Sequence, residues 1–138
     1  MINIFTKHRG EESSYKAINW CQNYHLSYEL ISPHKITPKI VQKMLSLSAN
    51  GFDDLLLSKD RGRKTWMNSG LLDLDINDMS TKTLVKVLSK NPQLLKNPII
   101  FNEKKILVGY NEDEIRVFLP RKHRIVVQKM KIENYSSN

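Results

Sequence analysis

Two short apolar runs near the end of the chain constrain its fold more than any other feature. Ile99–Phe101 and Ile106–Val108 are separated by a few polar residues, and this pattern predicts an antiparallel β-hairpin. Asn111 follows the second run, with Glu114 three residues later, which is the spacing of a helix capping box. We therefore predict a hairpin followed directly by a helix that Pro120 ends.

The N-terminal part of the chain predicts a β-α-β unit. Ile2–Thr6 reads as a short buried strand, and Ser13 or Ser14 is a candidate N-cap because a serine hydroxyl accepts from free N–H groups of a first helical turn. Ser27–Ile31 alternates in polarity, which is typical of a second strand, parallel to the first. The helix between them places four apolar side chains on one face: Ala17, Trp20, Cys21 and Tyr24.

A second helix has clear start and stop signals. Thr37 precedes Pro38, and a threonine N-cap with proline at the first helical position is a typical helix start. We predict that this helix runs to about Leu47 and that Asn50-Gly51 stops it with left-handed backbone. Another short helix is predicted from about Phe52.

The next part of the chain is basic and then helical again. Lys59–Asn77 is interrupted by Gly62 and Gly70, so we predict short helix and loop there. Ser80–Lys90 restores a helical pattern. Asn91-Pro92 is predicted to end it, because proline disfavours helical backbone in the residue before it.

Size and charge narrow the classes of protein to which the chain can belong. Its 138 residues are 40% hydrophobic and 26% charged, as in an ordinary globular domain. We predict one domain over residues 1–124, with a helical lobe at about 37–90, and a basic tail over residues 125–138. No apolar stretch reaches the length of a membrane span and no secretory signal is visible, so we expect a cytoplasmic protein. The net charge of +8 indicates an anionic partner or surface.

The predicted hairpin and the helix after it also carry a resemblance to a known family. The run Val108–Lys122, together with Pro98–Ile100 before it, resembles the C-terminal signature of the Spx/arsenate reductase (ArsC-like) family. Spx is a transcriptional regulator related to arsenate reductases. The resemblance implies an α/β, thioredoxin-like fold, with a mixed four-stranded sheet and an inserted helical lobe. It also aligns Pro98 with the cis-proline of such folds.

The resemblance places the family's Cys-x-x-Cys redox motif near Glu11 and Ser14, neither of which can act as a thiol. The one cysteine of the chain is Cys21, which we interpret as a small apolar side chain of the first helix. Asn97 stands where the family carries an arginine that holds an oxyanion, and an amide lacks that permanent charge. We therefore expect no catalytic residue, no cofactor, no small-molecule substrate and no enzyme activity.

The four histidines of the chain are far apart in sequence and do not have the spacing of metal ligands. We therefore expect no metal site.

The resemblance implies one protein partner, the C-terminal domain of the RNA polymerase α subunit. The family binds it with a surface that includes a glycine at the end of the second helix. Gly51 matches that glycine and lies between Asn50 and Phe52. Alternatively, Gly51 only ends the helix. Both roles are compatible, since a glycine also lets a partner approach closely.

A short basic segment is a candidate for contact with promoter DNA once the protein is bound to polymerase. Phosphate contacts give affinity but do not read sequence. A solvated basic loop is the alternative, and no helix-turn-helix or zinc-finger pattern supports autonomous recognition. The segment contains Lys59, Arg61, Arg63 and Lys64.

These observations leave three candidate functions for the chain. The first is an Spx-like global regulator that binds the α C-terminal domain and modulates promoter use without a thiol switch. The second is a degenerate arsenate reductase or thiol oxidoreductase, against which Glu11, Ser14 and Asn97 argue. The third is a competitor of a redox-active Spx paralogue for polymerase.

Overall fold

The computed structural model describes residues 1–120, in which a mixed sheet of four strands lies between two groups of helices. The spatial order is β2-β1-β3-β4. The first two strands are parallel, and the other neighbouring pairs are antiparallel. The predicted β-α-β unit and hairpin are therefore confirmed. The strands are β1 (Ile2–Phe5), β2 (Tyr28–Ile31), β3 (Ile99–Phe101) and β4 (Ile106–Val108).

One helix connects the two parallel strands, and four others lie between β2 and β3 in the sequence. These four form the helical lobe, residues 38–90. No helix within residues 1–120 is both long and apolar enough to cross a bilayer. The predicted tail, residues 125–138, lies outside the described residues. The helices are α1 (Glu12–Asn23), α2 (Pro38–Leu47), α3 (Phe52–Leu55), α4 (Arg63–Ser69) and α5 (Thr81–Lys90).

The predicted helix starts are right in the lobe and wrong in α1. The Thr37 hydroxyl accepts from the backbone N–H that is 3.2 Å away at the third helical residue of α2, and the Ser80 hydroxyl does the same at 3.2 Å in α5. In α1 the N-cap is Glu11, without a side-chain capping bond. The predicted cap Ser14 instead lies inside the first turn and is buried, because that turn presents it to the end of β1 rather than to its own N–H groups.

The last predicted helix is a short 3-10 helix, Glu114–Phe118, so the expectation of a helix from Asn111 to Pro120 was wrong. The capping at Asn111 is confirmed, since its side-chain oxygen accepts from the backbone N–H groups of Asp113 and Glu114, both at 2.9 Å. These bonds hold the chain in a tight turn. One such turn suffices to bury Ile115 and Phe118.

The sheet separates two apolar clusters because successive side chains of a strand point to opposite faces. Phe5 and Ile99 face the helical lobe, where they pack with Met44, Leu88 and other buried residues. Ile4 and its neighbours on the opposite face pack against α1 and the 3-10 helix. Each face of the central strand is therefore covered by a different group of helices.

Truncation of Ile4 tests whether the second cluster is a packed core. Ile4 is fully buried on the central strand, so Ile4→Ala removes apolar contacts and leaves a cavity, at a cost of about 2–5 kcal/mol in unfolding free energy. Glu29→Ala, at an exposed position of β2, should change it by less than about 0.5 kcal/mol. Urea unfolding measures both. Equal stability of the two variants would contradict the described packing.

Candidate functional site

Two of the predicted redox-site residues meet between the N-terminus of α1 and the segment before β3. The Asn97 side-chain amide donates to the Glu11 carboxylate, although the two residues are 86 positions apart in sequence. The Asn97 side-chain oxygen accepts from the backbone N–H of Lys7 at 2.7 Å. One asparagine thus joins the loop after β1 and the start of α1 to the approach to β3.

Ser14, the third predicted residue of this site, lies deeper. Its hydroxyl is fully buried and is hydrogen-bonded to the Thr6 hydroxyl, with 2.7 Å between the two oxygens. Thr6 also lies 3.1 Å from the carbonyl oxygen of His8. Ser14 therefore holds the end of β1 against the first turn of α1, which is a structural contact.

Lys7 completes the network and was not predicted from the sequence. Its ammonium donates to the Gln93 carbonyl at 2.6 Å. Burial lowers the pKa of Lys7, and the nearby Glu11 carboxylate opposes that shift. The sequence signal was present, because Thr6 and Lys7 are polar residues that directly follow a buried strand.

The electrostatics of this network suit a structural role better than anion binding. The N-terminus of a helix favours negative charge, because its free N–H groups and dipole point outward. Glu11 already places a carboxylate at the start of α1, and Asn97 donates to it. An incoming oxyanion would meet that carboxylate. We call the side chains of Lys7, Glu11 and Asn97 the polar network.

Cys21 lies on the inner face of α1, away from the polar network. It is fully buried, and burial raises the pKa of its thiol to about 11. The thiol is therefore protonated near neutral pH, where a nucleophile needs the thiolate. The interpretation of Cys21 as a small apolar side chain is confirmed.

The turn between α2 and α3 differs from the prediction. Helix α2 ends at Leu47, and Ser48 already has extended backbone with φ −80° and ψ 142°. Gly51 follows later and has φ 66° and ψ −137° at the start of α3. It therefore does not end the second helix, so that part of the prediction was wrong. Glycine reaches such backbone angles readily, whereas a side chain makes them strained.

Asn50 and Asp54 fix this turn on either side of Gly51. The backbone N–H of Asn50 donates to one oxygen of the Asp54 carboxylate at 2.9 Å, and its side-chain amide donates to the other at 3.2 Å. The backbone bond and then the side-chain bond from Asn50 lower the pKa of Asp54. Asp54 was not predicted from the sequence, although its spacing from Asn50 around a glycine was a usable signal.

Phe52 and Gly51, which are neighbours in this turn, face different surroundings. Phe52 is half-buried and packs against the lobe-side core, so it anchors α3. A side-chain carbon at Gly51 would meet only a methyl group of Leu45, at 4.0 Å. The outer side of Gly51 is therefore open.

An open groove of about 1120 Å³ connects this turn with the basic segment and with Asn97. Within the basic segment, the Lys59 ammonium donates to the Leu74 carbonyl and lies 5.3 Å from the centre of the Trp66 ring. Lys59 is thereby engaged by its own chain. Arg61 and the two other basic residues, Arg63 and Lys64, are exposed. The groove lining includes Ala49, Asp53, Asp54, Lys59, Arg61 and Asn97.

Backbone hydrogen bonds tie the turn to the polar network. Lys96 N–H donates to the Leu55 carbonyl at 2.7 Å, and Leu57 N–H donates to the Leu94 carbonyl at 2.9 Å. The end of α3 is thus paired with the residues that precede Asn97. The Asn97–Pro98 peptide bond is cis, as the alignment of Pro98 predicted.

Comparisons with known proteins agree with this architecture. Residues 9–118 match the ArsC family. The chain is 37% identical over 129 residues to global transcriptional regulator Spx 2 of Lactococcus lactis, covering 91% of this chain and 92% of the relative. It is 35% identical over 127 residues to global transcriptional regulator Spx of Staphylococcus haemolyticus, covering 90% and 91%.

Solved structures show the fold at lower identity. A Staphylococcus aureus protein solved by NMR superposes with a TM-score of 0.64 at 21% identity, covering 84% of this chain and 96% of that one. An arsenate reductase from Vibrio cholerae superposes with a TM-score of 0.61 at 14% identity, covering 86% and 97%. The expected thioredoxin-like, ArsC-type fold is confirmed.

Substitutions at Asn97 test the polar network through protein stability. Asn97→Ala leaves the Lys7 N–H without its acceptor, which should cost about 1–3 kcal/mol of unfolding free energy. Asn97→Asp keeps an acceptor but puts a second carboxylate beside Glu11, so Glu11→Gln should recover part of its loss at neutral pH. Urea unfolding of Asn97→Asp, Glu11→Gln and the variant with both substitutions measures this coupling. Additive effects would contradict the contact.

Proposed function

This chain belongs to the ArsC family, within its Spx group, and we propose that it is a global transcriptional regulator that binds the C-terminal domain of the RNA polymerase α subunit. Its relatives are named as transcriptional regulators, and the fold is the one that the resemblance implied. In this proposal the protein modulates promoter use as a cytoplasmic, non-enzymatic factor.

The observation that carries the redox-independent part of the proposal is the bond between Asn97 and Glu11. We assign Glu11 and Ser14 to the positions of the family's redox pair, and Asn97 to the position of its oxyanion-binding arginine. The polar network then joins α1 to the segment before β3 without any oxidation step. Activity would follow the amount of protein rather than its redox state.

An arsenate reductase or thiol oxidoreductase requires a reactive thiolate. The chain has one cysteine, which is buried, and its thiol pKa is raised to about 11. This supports a regulator rather than an enzyme.

The turn at Gly51 is the surface that we propose binds the α C-terminal domain. Its outer side is open, and the bonds between Asn50 and Asp54 hold it in one conformation, so little ordering entropy is lost on binding. Asn50 is exposed beside Gly51, whereas Phe52 contributes by anchoring α3.

Promoter DNA is the second proposed contact, made after the protein is on polymerase. Arg61, Arg63 and Lys64 are exposed and suit phosphate contacts. Lys59 contributes less in this proposal, because its ammonium is held by Leu74 and the ring of Trp66.

Oxidation should leave polymerase binding unchanged. A single buried thiol cannot form an internal disulfide, and at about pH 8 its raised pKa keeps it protonated. We expect equal affinity for the isolated α C-terminal domain before and after diamide treatment, measured by titration calorimetry. The matched control is Cys21→Ser treated in the same way. A large change in the parent that is absent from Cys21→Ser would contradict redox independence.

Substitution of Gly51 tests the docking surface. Gly51→Arg should weaken binding to the α C-terminal domain by about 2 kcal/mol or more through steric overlap. Gly70→Arg is the matched control, because Gly70 also has positive φ, 76°, and open space around it, but it ends α4. Both variants add a charged side chain at a glycine with positive φ. The backbone of Gly51 (ψ −137°) is more strained for arginine than the left-handed backbone of Gly70 (ψ 15°), so binding is compared only between folded variants.

Binding is measured by titration after circular dichroism has verified folding. Ala49→Arg supplies a probe without positive φ if Gly51→Arg does not fold, since Ala49 is exposed next to the same turn. Parent-like affinity of the folded probes would mean that the α C-terminal domain binds elsewhere.

A further inference from the structure

Helices α2 and α5 pack against each other and expose only one sign of charge. Neither helix contains an aspartate or a glutamate. Their lysines, together with one lysine in the turn just before α2, are all exposed. The ammonium of Lys43 also donates to the Glu103 carbonyl at 2.8 Å, so the test below uses the lysines of α5. We call these six side chains the lysine surface: Lys35, Lys39, Lys43, Lys82, Lys86 and Lys90.

The six lysines of this surface outnumber the net positive charge of the described chain. Residues 1–120 contain 17 lysines and arginines against 13 aspartates and glutamates. Without the six lysines, 11 basic side chains remain against the same 13 acidic ones. The rest of residues 1–120 is therefore slightly acidic, and the lysine surface is one of two concentrations of exposed basic side chains, the other being Arg61, Arg63 and Lys64.

Repulsion between these lysines destabilises the helices on which they lie. Lysines four residues apart on one helix face repel each other, at a cost of about 0.2–0.5 kcal/mol per pair, and α5 has two such pairs, formed by Lys82, Lys86 and Lys90. The ion pairs within residues 1–120 are Lys16 with Glu12 and Arg116 with Asp113, so neither relieves the repulsion. A bound polyanion would relieve it.

The residue types on the lysine surface indicate what kind of partner it can bind. Among residues 1–120 the large exposed apolar side chains are Met1, Tyr15 and Met67, and none lies on α2 or α5. A protein interface or a membrane-binding helix needs apolar or aromatic anchors. The exposed positions between the lysines instead include Gln42 and Thr83, whose amide and hydroxyl groups suit hydrogen bonds to phosphate oxygens.

From these observations we infer that the lysine surface binds the phosphate backbone of double-stranded DNA, without reading its sequence. Lys82 and Lys90 lie about 12 Å apart along the axis of α5, at 1.5 Å per residue. A duplex carries about seven phosphate charges over that length. The attraction of these lysines for phosphate does not depend on polymerase, and only the choice of DNA over RNA rests on the proposed role in transcription.

The test measures the salt dependence of binding to a short labelled DNA duplex of arbitrary sequence, by fluorescence anisotropy without polymerase. The triple variant Lys82→Gln, Lys86→Gln, Lys90→Gln should bind at least about tenfold more weakly at low salt. Its slope of log affinity against log salt should fall by about 0.9 per lost phosphate contact. The substituted side chains are exposed, and circular dichroism checks that α5 remains folded. If the triple variant does not fold, Lys86→Gln alone should lower the slope by about 0.9.

A charge-matched control removes three basic side chains outside the helical lobe and away from its lysines: Arg9→Gln, Lys16→Gln, Arg116→Gln. It should keep the parent slope. Three results would overturn the inference: equal losses in control and test variants, loss of binding only on neutralising Arg61, Arg63 and Lys64, or stronger binding of the parent to polyglutamate or duplex RNA than to DNA. Binding to the α C-terminal domain is titrated in parallel, so failure of the lysine surface is distinguishable from failure of the proposed function.

Discussion

The structure depends on the hydrogen bonds that residues 94–98 make in three directions. Their backbone pairs with the end of α3 through Leu55 and Leu57, and the Pro98 carbonyl accepts from Gly109 N–H at 2.7 Å. The Asn97 side chain reaches the loop after β1. Since buried backbone groups must be paired, this one segment fixes the relative positions of the lobe, the start of α1 and the end of β4.

The polar network has the strength of ordinary hydrogen bonds. A neutral hydrogen bond contributes about 1 kcal/mol net, but leaving a buried donor unpaired costs about 1–3 kcal/mol. The main cost of breaking the network is therefore a donor left without an acceptor, such as the Lys7 N–H. In the proposed function, this contact and the pairing of Lys96 with Leu55 join Glu11 to the Gly51 turn without a disulfide.

The sequence predicted the elements that are determined by interactions between residues close together in the chain. The Thr37 cap, the helical pattern from Ser80 and the alternation of β2 are readable because neighbours in sequence determine them. Ser14 was misassigned as a cap because its partner, Thr6, is outside the helix. The 3-10 form of Glu114–Phe118 depends on packing, which a capping pattern does not contain.

The meeting of Asn97 with Glu11 spans 86 residues, and no spacing rule reaches that far. The family resemblance identified both positions but not their contact. The Asn50-Gly51 signal likewise did not show that α2 already ends at Leu47, three residues before Asn50.

The lobe core links the two proposed interaction surfaces. Helices of 10 residues are marginal alone, and the like charges of α5 weaken it further. The buried side chains of α2 and α5, including Val41, Met44 and Leu88, belong to the cluster that also holds Leu55 of α3. Tertiary packing, rather than helix propensity, therefore maintains both the spacing of the lysines and the turn at Gly51. A partner that binds the Gly51 turn stabilises the folded lobe, and by linkage it also favours the conformation that presents the lysine surface.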